Sequence, residues 1–124
     1  MNLTKGLGES FSHAWRGLRL AFVSERSFRI QVIAATVVFF IALVLPLKEH
    51  ERLILLLAVA AVLVLELLNS AVERLVDLSK PRLHAFAKDI KDIMAAAVLV
   101  ASAFSLVIGL LVIWPYIGEL FRLV

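Results

Sequence analysis

The chain has 124 residues, 62% of them hydrophobic and 19% charged, with a net charge of +3 and no cysteine, and its mean hydropathy is +0.98. Soluble domains carry roughly 45–50% apolar residues, so a soluble globular enzyme of this size is nearly excluded, and a disordered chain is excluded by the same arithmetic. Disulfide scaffolds and Cys-based zinc or redox centres fall with the missing cysteines. One small domain covering 1–124 is expected.

The chain opens on a segment, about 5–25, in which Phe11, Trp15, Leu18 and Phe22 recur at i, i+4, i+7 and i+11 while Arg16 and Arg19 sit off that line. This spacing predicts an amphipathic helix suited to the headgroup layer. A cleaved signal peptide is not expected, because the first 29 residues hold five basic residues and no short apolar core ends in a small-residue cleavage site.

Three apolar runs follow, each near the roughly 20 residues a bilayer crossing needs. Ile30 to Leu47 contains Gln31 as its one strongly polar member and reaches Pro46, a helix stop. The second begins at Leu53, continues apolar to Leu65, and is then interrupted by Glu66 and Glu73. Ile93 to Gly118 carries no charge over 26 residues. The runs are continuous rather than alternating, which predicts helices and not strands. The expected architecture is an all-α membrane protein with transmembrane helices at about 28–47, 52–78 and 88–118.

Charge placement predicts orientation. Lys5, Arg16, Arg19, Arg26 and Arg29 precede the first span, and Arg74, Lys80, Arg82, Lys88 and Lys91 lie around the second loop. Lys48, Arg52 and Arg122 belong to the opposite side, so ten basic residues face three. The positive-inside rule makes the N terminus cytoplasmic and the C terminus external. The basic excess therefore reflects topology, and no nucleic-acid partner is expected.

A carboxylate within a spanning helix is costly and is a functional-site candidate by default. The second span ends Glu66-Leu-Leu-Asn69-Ser70-Ala-Val-Glu73-Arg74-Leu-Val-Asp77. On a helical wheel Asn69, Glu73 and Asp77 fall within about 60° of Glu66, with Ser70 close to the same side. Three readings of this polar stripe are open: interhelical contacts between subunits, a proton or ion relay, or a hard-cation site, since Mg²⁺ takes one or two carboxylates plus phosphates. A three-helix monomer would expose the stripe to lipid, so a second subunit is expected to cover it. The stretch His84-Ala-Phe-Ala-Lys88-Asp89-Ile-Lys91-Asp92 brings ammonium groups to the same level and favours the third reading, with Lys88 and Asp92 spaced as a surface salt bridge. No Walker A or kinase-type glycine loop is present. Taken singly, His13 and His84 read as surface residues.

The pattern Glu66-x-x-Asn69-Ser70-Ala71-x-Glu73-x-x-x-Asp77, followed by His84-x-x-Ala87-Lys88-x-x-Lys91-Asp92-x-x-Ala95-Ala96-Ala97-Val98-Leu99, closely resembles the prokaryotic diacylglycerol kinase / undecaprenol kinase family. Trp15-x-Gly17-Leu18-x-x-Ala21 and Glu25-x-x-Phe28-Arg29 resemble its N-terminal pattern. The likeness runs from about Ala14 to Leu99; beyond Val100 it is only hydrophobic. His13, Ile90 and Met94 depart from it, standing where Tyr, Ala, and Gly or Ala are usual.

The resemblance implies a homotrimeric lipid kinase of the bacterial inner membrane, with active sites shared between subunits at the cytoplasmic interface. It implies ATP as co-substrate, Mg²⁺ as cofactor and a lipid alcohol as acceptor: diacylglycerol giving phosphatidic acid, or alternatively undecaprenol giving its phosphate. It carries Glu66 over as the general base and Asn69 as the residue orienting the reacting groups. Glu25 and Glu73 become Mg²⁺ ligands, Lys91 a phosphate-binding residue partnered by Asp92, and His84 a nucleotide neighbour. A non-enzymatic assembly subunit and an ion channel are the readings from other classes. Neither gives a role to Glu25, a carboxylate outside the spans.

Overall fold

The computed structural model describes residues 3–78 and 84–122, and four α-helices account for nearly all of them: α1 (Leu3–Ser24), α2 (Arg26–Val44), α3 (Glu49–Leu78) and α4 (His84–Arg122). Lys80, Pro81 and Arg82 lie outside the described residues. Within the described residues α2, α3 and α4 are long and apolar enough to cross a membrane, and no strand occurs. The chain is an all-α membrane protein with three spanning helices.

A single non-helical residue, Glu25, separates α1 from α2, with φ −108° and ψ 114°. The Arg29 guanidinium reaches back across this corner and donates to the carbonyls of Phe22 and Val23 at 3.2 and 2.8 Å. It thereby satisfies carbonyls that the end of α1 leaves without intrahelical partners. Phe28 is buried beneath the corner.

At the other end of α2 the helix stops at Val44, short of the Leu47 expected from the apolar run. Leu45 precedes Pro46, whose ring disfavours a helical conformation there, and Leu45 is indeed extended, at φ −73° and ψ 143°. α3 begins at Glu49, earlier than expected, because the Lys48 N–H donates to the Glu51 carboxylate at 2.9 Å, half of a capping box. α4 continues past Gly118 to Arg122 and takes Pro115 inside it.

α3 is the centre of the arrangement: α2 and α4 each pack on it, with no close backbone approach to one another, and α1 touches α2 and α3. Leu55, Val62, Glu66 and Ser70 are all buried and, at 100° per residue, lie along one face of α3. The apolar core of the molecule sits toward the N-terminal end of that face, where Ala42, Leu47 and Leu55 cluster with Val38, Ile108, Val112 and Tyr116 packed around them. Elsewhere large apolar side chains face outward, including Phe40, Leu57, Leu99 and Leu111, as a lipid-facing surface requires. The α1 stripe of Phe11, Trp15, Leu18 and Phe22 is exposed as well.

Candidate active site

The buried face of α3 changes character along its length. Leu55 and Val62 are followed by Glu66, only 3% exposed, and by Ser70. The Ser70 hydroxyl donates to the Glu66 carbonyl at 3.0 Å, which satisfies that hydroxyl within the helix. Glu66 is thus covered by its own chain, and the expectation that a monomer would leave the whole stripe open to lipid is corrected: α2 and α4 flank this face and shelter its midpoint. The stripe opens only further along, where Glu73 and Asp77 have side chains about half exposed, 48% and 50%. Asn69, between Glu66 and Glu73, is half-buried. Among the described residues no hydrogen bond or ion pair engages the Glu66 carboxylate.

A groove of about 340 Å³ lies between α2 and α4 with α3 as its floor. Val38, Val62, Leu63 and Trp114 give it an apolar lining, and Gln31 and Ser102 supply polar groups. Gln31 Nε2 stands 3.5 Å from Ser102 Oγ across the gap. Glu66 falls one helical turn beyond Val62 and Leu63 on the same face, so an apolar channel and a buried carboxylate are in register on one helix.

The C-terminal end of α3 is held by ion pairs. Lys91 of α4 places its ammonium 3.2 Å from Glu73 and 2.8 Å from Asp77. Lys91 therefore pairs across to α3 and not with Asp92, which is exposed; successive helical residues diverge by about 100°, so the neighbouring carboxylate points elsewhere. The Lys88–Asp92 pair suggested by spacing is not formed among the described residues. Arg74 reaches the α1–α2 corner, with Nη2 3.1 Å from Glu25 Oε1 and hydrogen-bonded to Ser24 Oγ. The Ser24 hydroxyl donates in turn to the Leu20 carbonyl at 2.7 Å.

One chain thus brings Glu25, Glu73 and Lys91 to the same end of α3, one helical segment from Glu66. His84 opens α4, and its side chain lies outside the described residues. His13 and Ile90 are exposed and Met94 is half-buried. Sequence reasoning missed Ser24 and Arg74. The available signal was that Arg74 is the sole Lys or Arg of α3 apart from Arg52, and that it adjoins Glu73.

Among the described residues no three acidic or imidazole side chains converge on a metal position. Glu25 and Glu73 are hard oxygen donors with solvent access, which fits Mg²⁺, an ion that keeps several waters and takes only one or two carboxylates beside phosphate oxygens.

The profile of prokaryotic diacylglycerol kinase matches residues 12–113. The chain is 38% identical over 107 residues to the undecaprenol kinase of Bacillus subtilis, covering 86% of this chain and 87% of that protein. It is 32% identical over 106 residues to the diacylglycerol kinase of Escherichia coli, with the same coverage of 86% and 87%. Against the diacylglycerol kinase of Helicobacter pylori the identity is 33% over 100 residues, covering 81% and 78%. The matched span holds Glu25, the whole of α3 and the Lys91 end of α4, and the chain belongs to the prokaryotic diacylglycerol kinase family.

Proposed function

We propose that this protein is an ATP-dependent lipid kinase that transfers the γ-phosphoryl group of MgATP to the hydroxyl of diacylglycerol, giving phosphatidic acid. The observation that carries this reading is the position of Glu66. It is a buried carboxylate with an apolar groove on one side and a cluster of carboxylates and cations on the other. A lipid alcohol arrives through the bilayer and ATP through water, so their reaction needs this kind of junction.

In the proposed step Glu66 accepts the proton of the acceptor hydroxyl as its oxygen bonds to the γ-phosphorus. The bond from that phosphorus to the β,γ-bridging oxygen breaks, and ADP leaves. Asn69, one turn along α3, orients the reacting groups. Lys91, held by Glu73 and Asp77 and not by Asp92, neutralises charge on the transferring group, and His84 lies near the nucleotide. Mg²⁺, held by Glu25 and Glu73 when bound, supplies charge neutralisation on the phosphates. Positioning and electrostatic stabilisation are most of what phosphoryl transfer requires.

The proposed setting is the bacterial inner membrane, with the α3 C-terminal end and the N terminus cytoplasmic and the C terminus outside. The exposed stripe of α1 rests in the headgroup layer. The wide apolar exterior of α2 and α4 accommodates both lipid and the contacts of a homotrimer with shared sites. The second acceptor reading, undecaprenol, rests on the likeness to an undecaprenol kinase over 86% of this chain.

The test is phosphate transfer from radiolabelled ATP in mixed micelles containing diacylglycerol or undecaprenol. Labelled phosphatidic acid from the wild-type protein, lost in Glu66→Gln, is expected. Label in undecaprenyl phosphate alone would move the assignment to the second acceptor. No transfer to either alcohol would remove the kinase reading.

A further inference from the structure

Arg74 is placed where a structural brace alone leaves much unexplained. The Glu25 carboxylate is the N-cap of α2 yet makes no capping hydrogen bond; it is turned toward α3 and held by Arg74 at 3.1 Å. The α1 carbonyls at this corner are already satisfied by Arg29, so Arg74 is not needed there. Its own guanidinium is half used. Only Nη2 is engaged, by Glu25 and Ser24, leaving the Nε–H and Nη1 donors without a partner among the described residues. A guanidinium offers five donors in a planar fork that matches phosphate oxygens. Arg74 also keeps 43% side-chain exposure. One residue away, Glu73 is held by Lys91 in the same manner, carboxylate to cation, at 3.2 Å.

Both proposed Mg²⁺ ligands are therefore paired with a cation of this same chain. A carboxylate that turns to a divalent metal gives up such a partner. A partly exposed ion pair is exchanged at small cost, since water screens it and competes for both groups. The groups released are cations beside the place where phosphates must lie.

We propose that Arg74 is a nucleotide-binding residue that exchanges partners. Without nucleotide it holds Glu25 and competes with metal for that carboxylate. With Mg²⁺-nucleotide bound, Glu25 turns to the metal and the Arg74 fork grips phosphate oxygens. This rests on the lipid-kinase reading, and it predicts effects of opposite sign on metal and nucleotide.

The experiment is isothermal titration calorimetry of the full chain in detergent, with the non-hydrolysable β,γ-methylene analogue of ATP as probe. The nucleotide Kd is measured at saturating Mg²⁺, and the Mg²⁺ midpoint at fixed nucleotide. For Arg74→Gln the nucleotide Kd should rise about tenfold, as for loss of a charge-assisted hydrogen bond, while the Mg²⁺ midpoint falls. Arg74→Lys, which keeps the charge without the fork, should recover part of the nucleotide affinity and restore the Mg²⁺ midpoint. Wild-type nucleotide affinity in Arg74→Gln would overturn the proposal. So would a joint loss of nucleotide and Mg²⁺ affinity with a lowered Tm, the mark of a brace. If the wild-type protein bound no Mg²⁺-nucleotide, the kinase reading itself would fall.

Discussion

The two ends of α3 are held by different physics. At its N-terminal end Ala42, Leu47 and Leu55 form a packed apolar cluster, the Lys48 N–H is bonded to Glu51, and the Arg52 guanidinium donates to the Ala42 carbonyl at 2.9 Å. At its C-terminal end the ties are ion pairs among partly exposed side chains. Packed side chains have few alternative arrangements, whereas exposed ion pairs exchange partners readily. One end is an anchor; the other is remodelled when a charged substrate arrives. Glu66 lies between, fixed by the anchored part of the helix and facing the part that changes.

The largest expected effect breaks the comparison at its midpoint. In Glu66→Gln, turnover should fall about 10²–10⁴-fold, the usual contribution of a positioned base. Tm should not fall, since glutamine keeps the size and shape of the glutamate it replaces. Near-normal turnover in a folded variant would take the base role from Glu66.

The anchor is tested by Leu55→Ala. Leu55 is 1% exposed, and truncating a buried leucine costs about 2–5 kcal/mol when the cavity cannot close. A lowered Tm in thermal unfolding in detergent is expected, with near-wild-type turnover per folded molecule. A loss of turnover at unchanged Tm would mean that the two ends are not separable.

The remodelled end is tested by comparing two lysines. Lys91→Ala should raise the apparent KM for MgATP about tenfold, on the scale of a lost charge-assisted hydrogen bond. Lys88→Ala should leave it near wild type, because Lys88 is exposed and has no ion pair to α3 among the described residues. In the same assay Glu73→Gln should raise the Mg²⁺ requirement. Equal KM values for the two lysine variants would erase the distinction between them.

Much of this was legible in the sequence, for stated reasons. Span number follows from run lengths that only a bilayer makes sensible, and the polar stripe of α3 follows from helical period alone. Glu25 was reached through family likeness, because nothing local marks a single carboxylate at a helix corner. The pairings were out of reach. Arg74 and Glu25 are 49 residues apart, and which face of α4 meets α3 decides whether Lys91 finds Asp77 or Asp92. The burial of Glu66 was hidden for the same reason: it depends on α2 and α4 flanking one face, which the pattern of a single helix does not encode. The stop at Val44 was readable in Pro46 and its effect on the preceding residue, but an unbroken apolar run masks it.

The smallest expected effect sharpens the account of the anchor. Tyr116 follows Pro115 near the end of α4, and its hydroxyl is hydrogen-bonded to the Glu51 carboxylate, joining α4 to the start of α3 across 65 residues of sequence. Glu51 also accepts from the Lys48 N–H, so it keeps a partner when the hydroxyl is removed, and Tyr116 still packs against the Ala42–Leu55 cluster through its ring. Tyr116→Phe therefore deletes the tie to Glu51 and leaves the apolar contacts in place. A fall in Tm of about 2 °C is expected, on the scale set by small stability changes in domains of this size, with turnover and both ligand affinities unchanged. A fall as large as that of Leu55→Ala would show that the polar tie, and not the packing, holds this end. A change in MgATP use would show that the anchored end communicates with the ion pairs at the far end of α3.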